Sequence, residues 1–216
     1  MERTTLFQML AILLTAAGCL IILERRFADQ ALPEVRGWWV RVVLVNALQL
    51  GVILLGLRTW ERWLQGRSLF HLHDVLGPAW GGVLAYFITT FVFYWWHRAR
   101  HDVQWLWLGF HQLHHSARRI EAVTSFYKHP LEILANSVIM SLLLYPLLGL
   151  TAEASVWLSG LSAMAELLYH MNLRTPRWLG YLFQRPEMHR LHPQSENRGM
   201  HSESVHRAVG SCWWSA

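Results

Sequence analysis

Residues 80–101 read WGGVLAYFITTFVFYWWHRARH, an apolar run that passes directly into a pair of histidines. No charged side chain occurs in 80–96, and a run of this length suits an α-helix that crosses the hydrocarbon core of a bilayer. Aromatic side chains at 94–96 end the run, as is typical of a helix that leaves a membrane at its interface. His97 and His101 follow four positions apart, so on a continuing helix their imidazoles share one face. The stretch therefore predicts a membrane helix that ends in two metal-ligand candidates.

Four further apolar runs accompany this one, at 6–23, 40–57, 131–150 and 154–169. Hydrophobic residues make up 53% of the chain and charged residues 15%, whereas a soluble domain carries charge at roughly a quarter of its positions. We therefore expect an all-α fold, a polytopic helical membrane protein with about five transmembrane or membrane-embedded helices. The two cysteines indicate no disulfide framework.

The distribution of basic residues predicts the orientation in the membrane. If all five apolar runs cross, the loops 24–37 and 97–130 and the chain after residue 170 lie on one side. That side carries more Arg and Lys than the opposite loop 58–78, so it is expected to be cytoplasmic. The preference for Arg over Lys is typical of GC-rich genomes and favours a bacterial source by association, so we expect a bacterial inner membrane. No nucleic-acid partner is expected, because the sequence shows no basic surface interleaved with aromatic residues.

Seven of the 13 histidines form three groups at helical spacing. The groups are His97 with His101, His111 with His114 and His115, and His189 with His192. Residues three and four apart on a helix are neighbours, so each group presents its imidazoles toward one point. Each group also follows the cytoplasmic end of a predicted helix, which allows distant segments to converge as a histidine-rich cap. Imidazole is neutral near physiological pH and suits iron, zinc and copper, so we predict a metal centre at the membrane surface.

Further polar residues accompany these groups. His170 ends the fifth apolar run on the same face, and Glu166 lies one helical turn before it, so a carboxylate can join the site. Five residues are expected to orient the rings from outside the ligand set: Asp102, Glu121, His129, Glu132 and Asn172. Four histidines are expected to lie outside the site: His71, His73, His201 and His206.

The order of the groups resembles that of the fatty acid hydroxylase and sterol desaturase superfamily of membrane proteins. The resemblance rests on three ordered boxes, HxxxH at 97–101, HxxHH at 111–115 and HxxH at 189–192. Sequence segments in and around the boxes strengthen the resemblance: YWWHR at 94–98, FHQLHHS at 110–116, HPLE at 129–132 and HMN at 170–172. The similarity runs from about residue 80 to residue 192, roughly half of the chain.

The resemblance implies a centre of two iron ions that activates dioxygen and oxidises a C–H bond of a membrane lipid, giving a hydroxyl group or a double bond. Carried over residue by residue, the implied ligands are His97, His101, His111, His114, His115, His170, His189 and His192. No catalytic residue beyond these ligands is expected. Electrons are expected from a separate redox partner, because the sequence contains no dinucleotide fingerprint and no iron–sulfur cysteine spacing. The oligomeric state stays open.

The organisation predicted along the chain has three parts: N-terminal helices and loops at 1–78, a histidine-box core at 79–192 and an atypical tail at 193–216. The tail departs from the family pattern at Pro193, where the last box normally has a second histidine. Proline has no ligand atom and disfavours helix in the residue before it. An alternative function is therefore a catalytically impaired family member that binds metal or lipid without turnover.

Two other classes stay open. A haem-binding electron carrier would place single histidines within opposing membrane helices, whereas these histidines follow helix ends. A zinc-dependent membrane hydrolase would need fewer ligands and a clear general-base carboxylate.

Overall fold

The computed structural model describes residues 3–66, 68–181 and 184–190. Regular structure in these residues is helical and includes no β-strand, which confirms the all-α prediction. The α-helices are α1 (Arg3–Arg26), α2 (Trp38–Arg58), α3 (Trp60–Leu64), α4 (Leu72–Val75), α5 (Pro78–Asp102), α6 (Gln104–Leu106), α7 (Gln112–His115), α8 (Pro130–Leu142) and α9 (Ala152–His170). Two π-helical segments, Trp107–His111 and Leu143–Leu147, and two 3-10 segments, Ala122–Thr124 and Arg177–Tyr181, lie between and after them.

Two helical runs among the described residues are long and apolar enough to cross a membrane by length and composition, Trp38–Leu64 and Pro130–Leu147. Large apolar side chains of α2 point outward, and Val40, Val43 and Leu44 are each 63% exposed. The five-helix count, the cytoplasmic location of the histidines and the boundaries at residues 78 and 192 stay predictions.

Helices α5 and α9 form the centre of the structure. A Cβ atom on Gly82 would lie 2.5 Å from Trp157 Cβ and 2.8 Å from the Ala154 carbonyl oxygen, so only glycine allows the helices to approach this closely. Ala85 and Leu158, both 0% exposed, continue the contact in the same direction along both helices. The two helices therefore run in parallel and bring their histidine-bearing C-terminal ends to the same end of the bundle.

Helix α8 begins at that end and runs back along the bundle. Pro130 occupies its first turn, where the missing N–H is not needed, and His129 Nδ1 accepts a hydrogen bond from the Leu131 N–H at 3.3 Å. At the far end, Ser141 accepts a hydrogen bond at 3.1 Å from the Trp60 indole of α3. The first turn of α8 thereby lies beside the histidines, and its last turn lies away from them.

Candidate metal centre

Seven of the eight predicted ligand histidines lie among the described residues, where they form two adjacent groups. The four-histidine group contains His97, His101, His111 and His115, and the three-histidine group contains His114, His170 and His189. Within each group, one candidate ligand nitrogen from each imidazole lies within 4.8 Å of the others. The eighth predicted ligand, His192, lies outside the described residues.

The four-histidine group combines two pairs with i, i+4 spacing. His97 and His101 come from the last turns of α5, and their Nε2 atoms are 3.0 Å apart. His111 ends the π-helical segment and His115 ends α7, with their Nε2 atoms 3.1 Å apart. The ring centroids of His97 and His111 are 4.6 Å apart, so the two pairs face each other. Helical spacing sets each pair, and the chain reversal between α5 and the π-helical segment brings the pairs together.

The three-histidine group draws its members from three distant segments: His114 from α7, His170 from the end of α9, and His189 from 184–190. The Nε2 atoms of His170 and His189 are 3.0 Å apart, and those of His170 and His114 are 3.4 Å apart. No single helix fixes this group, so its geometry depends on how the three segments are held against one another.

Backbone carbonyl groups select the tautomer in the three-histidine group. His114 Nδ1 lies 3.2 Å from the Tyr127 carbonyl oxygen, and His170 Nδ1 lies 2.8 Å from the Glu166 carbonyl oxygen. A carbonyl oxygen can only accept, so each Nδ1 carries the proton and each Nε2 keeps its lone pair for a metal ion.

The second histidine box divides between the two groups, whereas its helical spacing predicted that all three members face one point. His111 and His115 join the four-histidine group, and His114 joins the other. Consecutive residues on an α-helix point about 100° apart, so His114 and His115 diverge. The ring centroids of His111 and His114 are nevertheless 5.3 Å apart. This arrangement can hold two neighbouring metal ions.

A buried ion pair supports the four-histidine group from behind. Glu132 lies on the first turn of α8, is 0% exposed and pairs with Arg100 of α5, which is 4% exposed. Glu132 Oε1 and Arg100 Nη1 each lie 3.2 Å from His111 Nδ1. Because the ion pair occupies the Nδ1 side of the ring, the Nε2 atom of His111 is directed into the group, and Glu132 stands where a partner that orients a ligand ring is expected.

Burial favours the neutral form of at least one imidazole in each group. It lowers the pKa of His101 to about 3, and the neighbouring Arg100 charge adds to the effect. Burial also holds the pKa of His114 well below its usual value, and the neighbouring His170 and His111 rings act in the same direction. A neutral imidazole is the form that binds a metal ion, so His101 and His114 are in the ligating form at physiological pH.

Other residues singled out from the sequence do not join either group among the described residues. His129 caps α8 instead, and Asp102 forms an exposed i, i+4 pair with Arg98 at 3.4 Å. Glu166 Oε2 lies 3.4 Å from Lys128 Nζ and 3.9 Å from His170 Nδ1. Glu166 therefore lies next to the three-histidine group and interacts with it electrostatically. His71, which was expected to lie outside the metal site, contacts Ser68 Oγ at 2.8 Å in the loop before α4. His201 and His206 lie outside the described residues.

Two buried residues near the site, Arg100 and Glu24, were not predicted from the sequence. Arg100 stands inside the first histidine box, and a charged residue between two ligand candidates was a signal that it pairs nearby. Glu24 follows an apolar run as an ordinary helix-end residue does, and its partners lie 98 and 148 positions away. Nothing local in the sequence indicates those contacts.

The fold and the site define an all-helical protein with a histidine-rich centre suited to two metal ions. The donor set fits iron, zinc or copper, because the described groups offer only imidazole nitrogens. The chain belongs to the fatty acid hydroxylase family, whose family model matches residues 82–209, more than half of the chain. The matched region contains all eight predicted ligands.

Similar curated proteins include an ornithine lipid hydroxylase of Rhizobium tropici, 33% identical over 128 residues that cover 57% of this chain and 38% of that protein. A very-long-chain aldehyde decarbonylase of Oryza sativa subsp. indica is 37% identical over 101 residues, 44% of this chain and 35% of that protein. A methylsterol monooxygenase of Arabidopsis thaliana is 44% identical over 62 residues, 26% of this chain and 23% of that protein. The matches thus span well under half of each relative. No solved structure matches the chain.

Proposed function

We propose that this protein oxidises an unactivated C–H bond of a membrane lipid, by hydroxylation or desaturation, at a dioxygen-activating centre of two iron ions. The observation that carries the proposal is that two adjoining groups of imidazoles exist. Within each group, the candidate ligand nitrogens lie within 4.8 Å of one another. Family membership and the names of the relatives agree with it.

The protein's own contribution is to hold nitrogen donors in a fixed arrangement. Iron in a nitrogen-rich shell with open positions supplies the reactivity toward dioxygen when it is bound. The residues around it keep the ligands oriented: the Tyr127 and Glu166 carbonyl oxygens fix two tautomers, and Glu132 faces His111 Nδ1. All seven histidines of the two groups belong to the predicted ligand set, with His192 as the eighth member.

The proposal includes a membrane location with the centre at one surface. The apolar helical runs at 38–64 and 130–147 and the outward-facing apolar side chains of α2 support it. A protein surface of this kind is stable against lipid tails and unfavourable against water. We propose five membrane-embedded helices in a bacterial inner membrane, with the metal centre on the cytoplasmic side. An acyl chain or a sterol then meets the centre without passing through water.

The substrate class is proposed as lipid. The relatives are named for ornithine lipid, methylsterol and very-long-chain aldehyde reactions, which share a long apolar substrate. Electrons are proposed to come from a separate redox protein on the cytoplasmic side.

A second candidate function rests on Pro193, which stands where the family pattern has a histidine. Under this alternative the protein binds metal or lipid without turnover. The variant Pro193→His separates the two: if lipid oxidation occurs only in the variant, the natural chain is an impaired member, and if the natural chain already oxidises lipid, the alternative is wrong.

Metal analysis of the full-length protein purified in detergent tests the proposal. We expect about two iron ions per chain, and loss of at least one in His111→Ala and in His170→Ala. His71→Ala, outside both groups, is the matched control and keeps the wild-type content. Lipid extracts of a host that expresses the protein are expected to contain a new hydroxylated or unsaturated species, which is missing with either ligand variant. Wild-type protein without iron, together with an unchanged lipid profile, would refute the proposal.

A further inference from the structure

The C-terminal end of α1 reaches the segments behind the three-histidine group. Glu24, only 2% exposed, accepts two backbone hydrogen bonds with the same carboxylate oxygen, at 2.8 Å from Ala122 N–H and 2.6 Å from Asn172 N–H. Asn172 follows His170 by two positions, and Ala122 opens the 3-10 segment after the second histidine box. One side chain therefore joins the segments that continue from two members of the group.

The loop after α1 holds the third member. Asp29 Oδ2 accepts a hydrogen bond at 2.6 Å from Arg190, which directly follows His189. Arg190 also donates to the Asn172 side-chain oxygen at 3.0 Å. The backbone N–H of Asp29 in turn donates to the Asn172 carbonyl oxygen at 3.0 Å. Arg190 and Asn172 are 6% and 1% exposed, so their contact is shielded from water, whereas the Asp29 side chain is 22% exposed and its contact with Arg190 is partly buried.

A further contact ties the same end of α1 to the loop after the second box. Arg25 donates to Glu121 Oε2 at 2.7 Å, and Glu121, itself 0% exposed, also accepts from the Trp38 indole at 2.9 Å. Helix α1 and the loop after it thus contact the segments that follow His115, His170 and His189.

We infer that Glu24 and Asp29 are positioning residues for the three-histidine group, so that the first helix is part of the metal centre. Both residues lie outside the region that the family model matches. The inference rests on the proposed function, because it assigns a role at the same centre. The reason lies in the construction of the two groups: the four-histidine group consists of i, i+4 pairs on neighbouring helical segments. The three-histidine group joins residues 56 and 19 positions apart and needs support from elsewhere.

The chemistry of the contacts explains why the two carboxylates matter. Without Glu24, two buried N–H groups lose their acceptor, and an unsatisfied buried donor is unfavourable enough to move its segment. Without Asp29, the Arg190 guanidinium loses its nearest carboxylate beside His189. Partners that hydrogen-bond to ligand rings typically change metal affinity by about 10- to 100-fold, and we expect an effect of that order from these two carboxylates, which act through the segments that carry the ligands.

Anaerobic titration of the metal-free, full-length protein in detergent with Co²⁺ alone tests the inference. The absorption bands of nitrogen-bound Co²⁺ report each binding event. Wild-type protein is expected to bind two ions, and His170→Ala identifies the event that belongs to the three-histidine group. Glu24→Leu removes the acceptor, Glu24→Gln keeps it, and Asp29→Ala removes the partner of Arg190. Glu34→Ala removes an exposed carboxylate of the same loop and is the control.

Glu24→Leu and Asp29→Ala are expected to weaken the event that His170→Ala abolishes by about 10- to 100-fold, with the other event unchanged. Glu24→Gln is expected to restore binding, and Glu34→Ala to match the wild type. If both events are unchanged, or both weaken equally in Asp29→Ala, the inference is wrong. A wild type that binds fewer than two Co²⁺ ions refutes the two-metal function and the inference with it. A wild type that binds two, with unaffected variants, refutes the inference alone.

Discussion

The buried pair of Arg100 and Glu132 allows stability to be separated from metal binding. The two side chains are 4% and 0% exposed, so neither charge is solvated by bulk water. In Glu132→Leu the guanidinium stays buried without this carboxylate, and breaking a buried pair in that way costs about 3–5 kcal/mol. We expect the variant to lose about that much free energy of unfolding.

The double variant Arg100→Met with Glu132→Leu removes both charges. Replacement of a whole buried pair by apolar side chains is often neutral or stabilising, so the free energy of unfolding is expected to return close to the wild-type value. His111 Nδ1 still lacks the acceptor that lies 3.2 Å away in the natural protein. Loss of such a partner typically weakens metal binding about 10- to 100-fold, and we expect the affinity of the four-histidine group to stay reduced.

Two measurements in detergent check this reasoning: denaturant unfolding of the metal-free protein, and Co²⁺ affinity of the four-histidine group. Asp102→Asn is the control, because its i, i+4 pair with Arg98 is 38% exposed on both sides and is worth at most about 1 kcal/mol. A double variant that binds Co²⁺ as tightly as the wild type would show that Glu132 does not orient His111. A Glu132→Leu variant with an unchanged free energy of unfolding would show that breaking the Arg100–Glu132 pair does not destabilise the protein as expected.

Three further changes test a helix contact, a helix interior and a helix cap, each by thermal unfolding in detergent. Gly82→Ala places a Cβ 2.5 Å from Trp157 Cβ and is expected to destabilise by about 1–3 kcal/mol; an unchanged melting temperature would contradict the close α5–α9 contact. Gly51→Ala meets nothing within 4 Å and is expected to stabilise α2 by about 0.5–1 kcal/mol, so a loss there would contradict the helix. Thr151→Ala removes the side-chain acceptor for Ala154 N–H at the start of α9 and is expected to cost about 0.5–2 kcal/mol; no effect would mean that water replaces the cap.

Local spacing explains what could be predicted from the sequence. The apolar runs and the i, i+4 histidine pairs are properties of single helices, so they led to the all-α class and to the pairing of His97 with His101. The division between His114 and His115 depends on the direction in which α7 faces, which is set by helices that pack against it. The contacts of Glu24 depend on segments 98 and 148 positions away. Sequence spacing carries information on features within a single helix and none on contacts between segments that are distant in the chain.

The hydrogen bonds of the three-histidine group favour a cation between its rings. Because Tyr127 and Glu166 present carbonyl oxygens to the two Nδ1 atoms, the Nε2 atoms of His114 and His170 both carry lone pairs, and they face each other at 3.4 Å. Two facing lone pairs repel unless a positive charge lies between them. A shared proton would make an imidazolium, and burial opposes it by holding the pKa of His114 well below its usual value. A metal ion satisfies both nitrogens without that protonation, so the fold of this region is itself an argument for a bound metal.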